Sequence, residues 1–147
     1  MDLATTCPTA SPTYSPTVAP TDDPTLSRLN ITLFADANVL EQIEKQLHKS
    51  IDILKVSNIT EAEHIERELA LIKLKAKGNM REEVKRTADI FRAQIVDITA
   101  ELYTVQLTGP SAKLDAFINA MSEVTKVVEV SRSGVVGLCR GEKAMRA

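Results

Sequence analysis

QIVDITAELYTVQLT, residues 94–108, decides how the rest of the chain has to be read. Two β-prone runs, QIVDIT and LYTVQLT, are separated by little more than Ala100 and Glu101, a spacing that predicts a tight antiparallel hairpin. Upstream, ELALIKLKA places Ala70, Ile72, Leu74 and Ala76 on one face of a strand. Gly78 ends that strand, and Asn79 with Glu82 three residues on gives a capping-box-like start to a helix carrying Val84, Ala88 and Phe91 on one stripe. Downstream, Gly109 and Pro110 stop the hairpin and Ser111 is placed to cap a second helix, whose buried face is Leu114, Phe117, Ile118 and Met121. KVVEVSR follows as a strand, and Ser133-Gly134 as a turn that lets VVGLC pair back.

From Glu68 to Arg132 the order is therefore βαββαβ, the ferredoxin-like plan of an α+β fold, with two helices on one face of an antiparallel sheet. Part of that plan is echoed earlier. VLEQIEKQLHKSIDILKV at 39–56 aligns without a gap on KLDAFINAMSEVTKVVEV at 113–130, matching Leu40 with Leu114, Ile43 with Phe117, Leu47 with Met121, Ile53 with Val127 and Val56 with Val130. A shared core pattern is the cautious reading and an internal duplication the bolder one. Leu29, Ile31 and Leu33 alternate as a strand, Asp36 caps a helix with Leu40, Ile43 and Leu47 on one stripe, and Ile51 to Val56 reads as another strand. This first unit is βαβ, the back half of a ferredoxin-like domain, and proline repeats stand where its leading strand and helix are expected. Pro8, Pro12, Pro16, Pro20 and Pro24 are each followed by Thr, a spacing that bars helix and central strand and predicts an extended or disordered head.

Composition narrows the function. With 44% hydrophobic and 26% charged residues the chain is globular in character, and a net charge of -2 offers no basic footprint for nucleic acid. No run approaches the length of about 20 apolar residues that spans a bilayer, and no secretory signal is read, so the expected compartment is the cytoplasm, with no membrane partner. Cys7 and Cys139 are too few for a disulfide framework or zinc site, and Cys139 reads as a small buried hydrophobe. His48 and His64 read as solvated surface, and neither has a second ligand at metal spacing. Asp22-Asp23 and Glu82-Glu83 suit capping and the helix dipole rather than acid–base catalysis. RNA recognition on this fold needs exposed strand aromatics, and Tyr103 alone lies on a strand of the complete unit. No catalytic or metal-binding residue is expected. A small-ligand sensor or a subunit-association module remains.

TVAPTDDPTLSR, VLEQIEKQLHK, REEVKRTADIFRAQIVDIT, LYTVQLTG, KLDAFI and VEVSRSGVVGLCRG together resemble the small, regulatory subunit of bacterial acetohydroxyacid synthase (acetolactate synthase), in particular the enteric isozyme III type. The resemblance implies a dimeric, non-catalytic subunit that activates a large catalytic subunit and mediates feedback inhibition by valine in valine, leucine and isoleucine biosynthesis. Thiamine diphosphate, magnesium and flavin (FAD) are then expected on the catalytic partner and no cofactor on this chain. It also implies an ACT domain at the amino-terminal end, whose Asn- and Gly-containing turn before the first helix donates to the valine carboxylate. In place of that turn this sequence has MDLATTCPTASPTYSP, so Thr17, Ala19 and Gln42 are the residues left to carry effector binding, and valine sensing is expected to be weakened. The resulting division is a Pro/Thr-rich head at 1–16, a partial ACT domain at 17–57, a connector at 58–67 and a ferredoxin-like domain at 68–147. A dimerisation module that has lost effector binding is the alternative reading.

Overall fold

A computed structural model describes residues 15–145. In chain order its elements are β1 (Ser15–Pro20), β2 (Ser27–Thr32), α1 (Ala37–His48), β3 (His64–Lys75), α2 (Met80–Ile90), β4 (Gln94–Ile98), β5 (Leu102–Gly109), α3 (Ser111–Val124), β6 (Val127–Arg132) and β7 (Val136–Cys139).

The hairpin forms as expected: β4 and β5 pair antiparallel, Ile95 opposite Val105, with a bulge before Asp97. β5 lies against β3, which lies against β6, giving the order β4-β5-β3-β6. Alternation along β3 turns Ala70, Ile72 and Leu74 inward, all fully buried with Ala76, and their neighbours Val105 and Leu107 on β5 join them. α2 adds Val84 and Ala88, and α3 adds Leu114, Phe117 and Met121. Phe91, just past the end of α2, meets the Phe117 ring edge-on with centroids 5.3 Å apart. Thr125 closes the end of α3 by donating from Oγ1 to the Lys75 carbonyl at 2.7 Å. Tyr103 faces the same core, nearly buried beneath the Arg81 guanidinium, and so offers no stacking platform.

Several local expectations are corrected. Asn79 makes no side-chain cap to α2, because its own backbone is already helical, and the turn is closed by backbone bonds from Met80 to Lys77 and from Arg81 to Gly78. Ser111 is the first residue of α3 rather than its cap, and Pro110 precedes it in extended conformation. VVGLC does not fold back on β6. Ala70 faces Arg132 while Arg67 faces Val136, so β7 continues the line of β6 along β3 with one extra residue on its side. Ser133-Gly134 is thus a β-bulge, with Gly134 at φ +83°, and not a reversing turn. β3 accordingly starts at His64, four residues inside the stretch expected to be a connector. Cys139, at the end of the ribbon, is only partly buried.

In the first unit, β1 and β2 form their own antiparallel pair, Ser15 opposite Thr32 and Pro20 opposite Ser27. The strand therefore reaches back into the proline repeats. Among the described residues β1 pairs with β2 alone, so Pro16 and Pro20 are tolerated where the missing N–H falls on its unpaired side and costs no ladder bond. The rest of the head expectation, 1–14, lies outside the described residues. α1 forms with the predicted cap, Asp36 Oδ1 accepting from Val39 N–H at 2.9 Å, so the two aligned segments agree in their helices. They differ afterwards. Residues 51–56 form no strand, and Ile51 is 97% exposed and Leu54 69%. An isolated strand has no ladder for its backbone groups, and no other strand runs beside this stretch among the described residues.

Candidate functional site

Glu68 occupies the core-facing phase of β3, one alternation before Ala70, yet it is a carboxylate and only 6% exposed. A charge in that position requires compensation. Arg132 supplies it from β6, donating Nε to Oε1 at 2.9 Å and Nη2 to Oε2 at 2.7 Å in a two-pronged pair. The remaining nitrogen, Nη1, reaches Asp115 of α3 at 2.6 Å. Ser111 Oγ donates to Glu68 Oε2 at 2.9 Å, which places the carboxylate at the start of α3, where the helix dipole also favours it. The Arg132 hydrogen bonds hold the Glu68 carboxyl below its usual range, against the opposing effect of burial; Ser111, the Arg132 charge and the Gly134 N–H add to this. Arg132 in turn is held above its ordinary value, first by Glu68. Two ion pairs on Arg132, with the Ser111 hydrogen bond, therefore tie β3, β6 and the start of α3 together.

The bulge sits directly beside it. Ser133 N–H donates to the Leu69 carbonyl at 2.9 Å, and Leu69 N–H donates to Ser133 Oγ at 3.0 Å, so the side chain fills the rung that the extra residue displaces. Ser133 Oγ donates onward to Gly134 O at 2.9 Å. Against this bulge lies β1, with Thr17 Oγ1 donating to the Ser133 carbonyl at 3.1 Å. A Cβ on Gly134 would stand 2.5 Å from Thr17 Oγ1 and 2.8 Å from Ser15 Oγ, so the absence of a side chain there is what allows β1 to approach.

The three residues singled out from the sequence are not gathered into one pocket. Thr17 and Ala19 share a face of β1, Thr17 half-buried and Ala19 exposed. Gln42 is exposed on α1, a helix with no buried residue, and no described hydrogen bond links it to β1. The two cavities described, of about 200 and 190 Å³, lie instead on the open face of the C-terminal sheet around Leu71 and Ser131, and neither includes those residues. Glu68, Arg132 and Ser133 were not foreseen as site residues. A readable signal existed: Glu68 is in phase with Ala70, Ile72 and Leu74, and a carboxylate in a core phase announces a partner.

His64 is more engaged than a solvated surface residue. Its ring nitrogens lie 2.8 Å from the Ala62 carbonyl and 2.8 Å from Glu66 Oε1, acceptors that both favour the doubly protonated ring and raise its pKa. Among the described residues no group of three or more His, Cys, Asp or Glu is placed to hold a metal ion, and no helix is long and apolar enough to cross a membrane.

These features define an α+β association module, in which the polar chemistry joins chain segments to one another. Comparison with known proteins makes the class specific. Residues 67–141 match the family model described as the small subunit of acetolactate synthase. The chain is 61% identical over 122 residues to the acetolactate synthase isozyme 3 small subunits of Salmonella typhimurium and Escherichia coli, covering 83% of this chain and 75% of each relative. It is 59% identical to the acetolactate synthase small subunit of Haemophilus influenzae over 81% of this chain and 73% of that one. The crystal structure of the acetolactate synthase small subunit from Thermotoga maritima superposes with a TM-score of 0.76 at 35% identity, over 88% of this chain and 80% of that one. The chain belongs to the family of acetolactate synthase small subunits, the non-catalytic partners of a large catalytic subunit.

Proposed function

We propose that this chain regulates an acetolactate synthase by activating its large subunit, and that valine is the effector, acting through the first unit, in a cytoplasmic complex. The 61% identity that runs across most of the chain supports this most directly. Thiamine diphosphate, magnesium and flavin then belong to the large subunit, and this chain contributes no cofactor ligand.

Valine binding is proposed to be weak. A free amino acid presents a carboxylate and an ammonium, and each loses several kcal/mol of hydration unless a protein group replaces it. The Thr17 hydroxyl proton is already donated to Ser133, so its lone pairs suit an ammonium and not a carboxylate. Ala19 has no side-chain donor, and Gln42 would have to be drawn towards β1 at a cost of about 1–2 kcal/mol for each residue ordered. The chain is also proposed to form a homodimer, because α1 buries nothing and Val18, Phe34, Ile51 and Leu54 are each more than 60% exposed. The same exposure supports the second reading, a dimerisation module without effector response.

Reconstitution with the large subunit of an enteric isozyme 3 enzyme tests both. Acetolactate formation should rise above that of the large subunit alone, with inhibition only at millimolar valine. No activation would refute the regulatory reading, and full inhibition at micromolar valine would refute the weakened site.

A further inference from the structure

Ser133 is bonded both to the first unit and to β3. Its carbonyl accepts from Thr17 Oγ1, its N–H donates to the Leu69 carbonyl, and its Oγ accepts from Leu69 N–H. Ser133 and Leu69 are the chain neighbours of Arg132 and Glu68, so this double rung also sets the position of the two-pronged ion pair.

We infer that Thr17 is a latch: it seats the β1–β2 hairpin on the Ser133–Gly134 bulge, and the Ser133–Leu69 rung couples the hairpin to the Glu68–Arg132–Asp115 cluster at the start of α3. Three independent features of the seam support this. Thr17 has its proton committed to the C-terminal domain. Gly134 adopts a left-handed φ of +83° at the one place where a side chain would strike both Thr17 and Ser15. Ser133 holds the bulge from within, through Leu69 N–H and Gly134 O. Displacing the hairpin therefore frees the Ser133 carbonyl and loosens the rung beside Glu68 and Arg132, and with it the clamp on α3. The regulatory consequence rests on the function proposed above; the latch itself does not.

The test uses the full chain alone, with neither valine nor large subunit present. Thr17→Val keeps the branched shape and removes the hydroxyl, while Thr17→Ser retains the hydroxyl. Amide hydrogen exchange at Leu69 and Ser133 should accelerate about tenfold in Thr17→Val and stay within about twofold of the parent in Thr17→Ser, the scale expected for one lost hydrogen bond. The Glu68 carboxyl, followed by carbon NMR, should titrate at higher pH in Thr17→Val only. Exchange unchanged in Thr17→Val would overturn the latch, and faster exchange with an unmoved Glu68 titration would overturn the coupling. Neither outcome depends on acetolactate synthesis, so a failed reconstitution and a failed latch are separate results.

Discussion

Replacing Arg132 by Met removes the charge and keeps most of the aliphatic stem, and the structure sets bounds on the loss. Glu68 would lose two of the three side-chain hydrogen bonds it accepts, keeping the one from Ser111. At about 1.5–3 kcal/mol for each charged bond the sum is about 3–6 kcal/mol. Two effects reduce it. The Arg132 side chain is 32% exposed, so water can reach part of the vacated site. A carboxyl with an ordinary pKa of 4.5 can also escape by taking a proton, which at pH 7 costs about 1.4 kcal/mol per pH unit, or about 3.4 kcal/mol in all. The expected loss at pH 7 is therefore about 2–3.5 kcal/mol in denaturant unfolding.

The pH dependence gives a second handle. The Glu68 carboxyl is depressed in the folded chain, so its contribution is complete above the unfolded value of 4.5 and disappears as pH falls through the lower folded value. Arg132→Met abolishes that depression, so the parent and variant should converge as the solution is acidified below pH 4.5. A loss under about 1 kcal/mol at pH 7, or curves that stay parallel down to pH 3, would show that the pair does not hold the seam.

Phe117→Ala should cost about 3–5 kcal/mol of stability, since the ring is fully buried against Phe91; a loss below about 1 kcal/mol would place it outside the core. His64 should titrate above its ordinary value of 6.5 by proton NMR, chiefly through the Ala62 carbonyl and then Glu66. With its folded value raised, the stability it contributes is present at low pH and lost as pH rises through that value; a midpoint at or below 6.5 refutes the contact. Sedimentation at micromolar concentration should show self-association through the exposed apolar residues of the first unit, and a monodisperse monomer would contradict it.

The C-terminal domain was legible because its signals are local. Alternation along ELALIKLKA, stripes on two helices and a two-residue gap between QIVDIT and LYTVQLT each depend on residues a few positions apart, and all three survive in the structure. The family was legible for a related reason: its characteristic segments are contiguous in sequence. Residues 51–56 show where such reading stops. Their pattern suits a strand, but a strand exists only through a partner's backbone groups, and no window of sequence contains the partner. Ser133-Gly134 shows it again, because the same dipeptide serves a turn or a bulge, and the choice falls to β3, whose first four residues were free to take β7 as a continuation of β6. The seam lay furthest from view. Thr17 and Ser133 are 116 positions apart and Glu68 and Arg132 are 64 apart, so only the folded chain brings the hydroxyl to the carbonyl and the guanidinium to the carboxylate. In the C-terminal domain the sequence alone determined which residues are buried, through the period of their apolar positions, whereas the same stripe on α1 is left without a buried residue; the tertiary structure decided which polar groups meet, because a hydrogen bond depends on distance and direction in space and leaves no periodic trace along the chain.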